Sequence, residues 1–71
     1  MLNIMVTSNL IMRGRNSKGS WRLVAVCYNS GHSYYVNHFP PNGNLNSFRF
    51  NSFKEAYEFF KSQKVKQVNN G

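Results

Sequence analysis

Two runs rich in β-branched and aromatic residues, WRLVAVCY (Trp21–Tyr28) and SYYVNHF (Ser33–Phe39), are joined by Asn29-Ser30-Gly31-His32. No other stretch constrains the fold as tightly. Strand-like runs linked by a short glycine-containing segment make a β-hairpin. With Ser30-Gly31 as the two-residue turn, Tyr28 pairs with Ser33, Val26 with Tyr35 and Val24 with Asn37. Side chains alternate along a strand, so the hairpin sorts them into two faces. Trp21, Leu23, Ala25, Cys27, Tyr34, Val36 and His38 share one, where small Ala25 and Cys27 admit a helix. Arg22, Val24, Val26, Tyr28, Tyr35, Asn37 and Phe39 share the other, a mixture of cation, aromatic and valine that is costly to leave in water. Each of Val24, Val26 and Phe39 forgoes roughly 1.5–3 kcal/mol of potential burial when left wet.

The flanking sequence supplies the remaining elements. Leu2, Ile4 and Val6 alternate with softer or polar residues and lead into Leu10-Ile11-Met12, which predicts a strand over about 2–12, bent or bulged near Ser8-Asn9. RGRNSKGS, Arg13 to Ser20, reads as a flexible basic loop whose glycines would let a phosphate approach the backbone. Its spacing matches neither the Walker A nor the dinucleotide fingerprint. Pro40-Pro41-Asn42-Gly43-Asn44 is a stop and turn. In the following short strand, Leu45–Phe50, Phe48 and Phe50 face the core and Arg49 falls beside Arg22, Tyr28 and Tyr35. Ser52 and Glu55 form an S-x-x-E capping box that opens a helix over Ser52–Lys64. Phe53, Ala56, Tyr57 and Phe60 make its apolar stripe, with Phe59 at the edge. Lys61, Lys64 and Lys66 suit the negative end of the helix dipole. The fold class expected is α+β: a three- to four-stranded antiparallel sheet with one C-terminal helix on one face. Residues 1–66 form a single domain and 67–71 a frayed tail.

At 71 residues such a domain has room for one small core. Nine Lys and Arg against two acids give a net charge of +7, and the pI is about 10.1. That balance draws the chain to polyanions and excludes any role that requires an acidic surface. Cys27 is the one cysteine, so no internal disulfide can form. A reduced, cytoplasmic setting is expected. MLNIMVTSNLIM lacks a basic amino-terminal region and is broken by polar residues, so neither a signal peptide nor a membrane span is expected.

Trp21, Ala25 and the segment Phe50-Asn51-Ser52-Phe53-Lys54-Glu55-Ala56 resemble small β-β-β-α DNA-binding domains of the AP2 and integrase amino-terminal type. In that group an aromatic residue opens a strand, an alanine faces the helix, and F-x-[ST]-x-x-E-A starts the helix. The likeness spans about two-thirds of the chain. It departs where PPNGNLNSFRF intervenes between the third strand and the helix, as an additional strand. A four-strand-plus-helix layout is also similar to the PC4-type single-stranded DNA-binding proteins, in layout but not in motif. Both resemblances imply a DNA partner.

The function expected is therefore a small basic, non-enzymatic nucleic-acid-binding protein of regulatory or phage-type accessory character, with DNA favoured over RNA. Arg13, Arg15, Lys18, Arg22 and Arg49 would hold phosphates, while Tyr28 and Tyr35 stack on bases. The alternative is an inhibitor or adaptor that docks its apolar sheet face on a host protein through Val24, Val26 and Phe39. A homodimer through the open face is a further option. No cofactor, metal or membrane partner is expected. Glu55 and Glu58 are absorbed by the helix, and Cys27, His32 and His38 lack zinc spacing. A metal-independent ribonuclease built on a histidine and an arginine is the one catalytic reading left.

Overall fold

The computed structural model describes residues 6–67. They form a five-stranded antiparallel sheet with one helix across one face. In chain order the elements are β1 (Thr7–Asn16), β2 (Gly19–Tyr28), β3 (Gly31–Phe39), β4 (Asn46–Phe50), α1 (Phe53–Ser62) and β5 (Lys66–Gln67), and the sheet runs β4-β3-β2-β1-β5. The expected strand before Val6 lies outside the described residues. None of the described helices is long and apolar enough to cross a membrane.

The central hairpin forms with its two faces as expected but in a different register. Tyr28 pairs with Gly31, Val26 with Ser33 and Val24 with Tyr35, so the turn is Asn29-Ser30 rather than Ser30-Gly31. The slip is two residues. An even slip leaves every side chain on its original face. Leu23 and Val36 pair on the helix side with no exposure, beside Trp21, and Ala56 and Phe60 of α1 complete the buried cluster. Met12, Tyr34, Phe50, Tyr57, Phe59 and Val65 pack around it.

The segment 13–20 is not a loop. Arg13–Asn16 belong to β1, only Ser17-Lys18 turn, and β2 begins at Gly19. Asn16 makes the tight turn possible: its Oδ1 accepts from the Lys18 backbone N–H (2.8 Å) and from Trp21 Nε1 (2.9 Å), while its Nδ2 donates to the Gln63 carbonyl (2.8 Å). Gly19 closes the turn at φ +124°, where a Cβ would also collide with the Phe39 carbonyl. The bulge sits at Ile11, between the Leu10–Val24 and Met12–Leu23 pairs, rather than at Ser8-Asn9. That extra residue reverses the sequence parity of the strand. Leu10 and Arg13 consequently point to the same face, and Met12 turns to the core.

The helix starts where the capping signal places it. Ser52 Oγ accepts from the Glu55 N–H at 3.2 Å, and the Glu55 carboxylate reaches back to the Ser52 hydroxyl rather than to its backbone. Ala56 and Phe60 are buried, but Phe53, expected in the stripe, is exposed. Phe59 does more than expected, with its ring 4.9 Å from Phe48 and 5.2 Å from Phe50. Lys64 adopts a left-handed φ of 55°, which ends the helical run and sends the chain back to β1. There Gln67, expected in a frayed tail, pairs with Gly14.

Candidate nucleic-acid interface

Among the described residues, no element packs on the face of the sheet opposite α1. Paired residues in an antiparallel ladder point the same way, so the pairings place its side chains in rows across the strands. Phe39, Ser20, Arg15 and Lys66 form one row, on β3, β2, β1 and β5. Ser47, Asn37, Arg22 and Arg13 form the next, and Arg49, Tyr35, Val24 and Leu10 the third. Beyond them come Ser33, Val26 and Ser8, then Tyr28 at the far end of β2.

Six of the seven residues expected to bind nucleic acid (Arg13, Arg15, Arg22, Tyr28, Tyr35 and Arg49) lie on this one face. Lys18 does not. It occupies the exposed tip of the β1–β2 turn, just past the end of the face. The arginines of β1 arrive there for a reason invisible in a loop reading, namely the Ile11 bulge. The sequence missed Lys66, which the pairing with Arg15 sets on the same face. The alternation Lys64-Val65-Lys66-Gln67 was the available signal, but it follows a helix and reads equally well as a helix end.

The face has two chemically different ends. Arg22 and Tyr28 stand six residues apart on β2, a separation of about 20 Å at the usual strand rise. At one end Arg13 pairs with Arg22 and Arg15 with Lys66. Like charges placed opposite one another destabilise a sheet unless something between them is negative. Both acids of the chain are on α1, across the sheet. The Arg22 guanidinium lies over the Phe39 ring, 5.2 Å from its centroid, which orients it without neutralising it. A depression of about 350 Å³ opens here, lined by Arg13, Gly14, Arg15, Ser20, Trp21 and Arg22.

At the other end the Tyr28 and Tyr35 hydroxyls meet at 3.4 Å. That hydrogen bond chiefly holds the Tyr28 phenol above its ordinary range, opposed by the nearby Arg49 charge. Arg49 itself is pinned: Nε and Nη2 donate to Ser33 Oγ at 3.2 and 3.0 Å, which covers Ser33 almost completely. It is the arginine of this face most committed to the protein.

The histidines stand apart from this surface. His38 stacks on Trp21 on the helix side, with ring centroids 3.9 Å apart. Its Nε2 donates to the Lys18 carbonyl at 2.7 Å, and its Nδ1 accepts weakly from Asn46 Nδ2. His32 is exposed and pairs with Cys27, also on the helix side. The sheet therefore separates both imidazoles from the arginines of the open face. Comparison of the chain with protein-family models, curated proteins and solved structures finds no match.

Proposed function

We propose that this chain is a small non-enzymatic nucleic-acid-binding module whose open sheet face receives the polymer. The observation that carries this reading is segregation of charge. Arg13, Arg15, Arg22, Arg49 and Lys66 share the uncovered face, while Glu55 and Glu58 lie on the helix beyond the other face. Cations interleaved with accessible aromatic rings suit a polymer that offers phosphates and flat bases together. Tyr28 and Phe39 are each 38% exposed, enough ring surface to receive a base. DNA remains favoured over RNA on the resemblances alone. The separation of His32 and His38 from the arginines speaks against the ribonuclease reading.

Titration of labelled single- and double-stranded DNA and RNA against salt tests the proposal. Neutralising roughly three to five phosphates gives a log K against log salt slope of about −3 to −5. Absence of binding to all of them at low salt would remove it. Docking on a protein would then be the better account, since exposed Leu10 and half-buried Val24 and Val26 give the middle of the face an apolar strip.

A further inference from the structure

Where β1, β2 and β5 meet on the open face, the pairing concentrates charge beyond what one strand of a phosphodiester backbone would match. Arg13 faces Arg22 across one pair of strands and Arg15 faces Lys66 across another. Opposed residues in such ladders are about 5 Å apart, and same-face neighbours along a strand about 7 Å. Four cations thus stand within a patch roughly 7 by 10 Å by that spacing. Ser20 pairs with Arg15 and places a hydroxyl among them, and Arg13, Arg15, Arg22 and Ser20 line a depression of about 350 Å³ beside which Lys66 is set by its pairing with Arg15. A phosphodiester carries one negative charge per nucleotide, whereas a phosphomonoester carries close to two and an oligophosphate more.

We infer that this corner is a discrete site for a multiply charged phosphate, either the terminal phosphomonoester of a nucleic-acid strand or a free oligophosphate. The inference rests on the reading of the open face as a phosphate-binding surface. Arg22, held against Phe39, presents its guanidinium edge for two-pronged contact with phosphate oxygens. Ser20 donates from its hydroxyl, and Arg13, Arg15 and Lys66 supply the remaining charge. Lys66 reaches the site only because β5 returns to β1. The C-terminal strand is therefore part of the site and not merely its neighbour.

The test uses the intact chain and three probes at constant ionic strength: pyrophosphate, an oligonucleotide with a terminal phosphate, and the same oligonucleotide ending in hydroxyls. A terminal phosphate is expected to tighten binding about tenfold, the worth of one charge-assisted contact. Pyrophosphate is expected to raise the melting temperature and to compete with the phosphorylated strand. Arg22→Gln and Lys66→Gln, on different strands, should each abolish the gain, while Lys54→Gln on the helix should keep it. A terminal-phosphate gain assigns the nucleic-acid source; pyrophosphate binding without one assigns the free anion. If pyrophosphate does not bind beyond matched chloride and the terminal phosphate adds no affinity, while hydroxyl-ended strands still bind with a steep salt slope, the inference falls and the proposed function stands. If pyrophosphate binds, Arg22→Gln abolishes it and no polymer binds, the corner stands and the nucleic-acid reading falls.

Discussion

Tyr34 and Tyr35 are neighbours in sequence that face opposite ways. Tyr34 packs on the core and meets Phe53 edge-on at 6.1 Å. Tyr35 faces the open side between Val24 and Arg49. Tyr35→Ala should therefore weaken nucleic-acid binding by about 1–3 kcal/mol, the worth of one stacked base, and leave the fold intact. Tyr34→Ala should instead destabilise by about 2–4 kcal/mol. Thermal melts and binding titrations on both variants check this, and exchanged phenotypes would mean that the faces are inverted. Tyr28 adds a pH prediction. Its folded-state value lies above the ordinary phenol value of about 10. The stability of the tyrosine pair is thus present below that pH and lost as pH climbs through the raised value. In Tyr35→Phe, residue-resolved titration should show Tyr28 ionising at lower pH than in the parent; an unchanged midpoint would mean the hydroxyls do not meet in solution. These faces were legible from alternation alone, because moving the turn by one residue slips the pairing register by two, an even number.

What the sequence concealed lies at the level of elements. Gly14 read as a loop glycine, yet it sits in β1 because a Cβ there would run into Val65 Cγ1 and the Lys66 carbonyl. Arg13 and Arg15 read as loop cations because a strand whose other side is solvent need not be apolar. No local pattern could report the pairing of Gly14 with Gln67, which joins the first and last described strands. Gly14→Ala should push β5 off the edge, cost about 1–3 kcal/mol and weaken binding by displacing Lys66. Normal stability with normal affinity in that variant would show that β5 does not hold its place. The helix, by contrast, was legible from its cap and stripe. Ser52→Ala removes the oxygen that accepts the Glu55 N–H and should cost about 1 kcal/mol, with affinity unchanged.

For the molecule as a whole, the arrangement that favours a polyanion works against the free fold. The fully buried apolar cluster is small (Trp21, Leu23, Val36, Ala56 and Phe60), and the open face holds like charges in register above it. Salt should therefore act in opposite directions on stability and on binding. Screening length falls to about 10 Å at 0.1 M salt and to about 3 Å at 1 M, which relaxes repulsion between the paired cations. The free protein should melt higher as sodium chloride rises, by about 4–8 °C for each kcal/mol of repulsion relieved. Over the same range nucleic-acid affinity should fall steeply. Arg13→Ala with Arg15→Ala should flatten both responses together, lowering the magnitude of the binding slope by about two and removing most of the salt-induced gain in melting temperature. A melting temperature that is already indifferent to salt in the parent would show that the cations of β1, β2 and β5 do not repel one another, and the charge argument for this face would lose its basis.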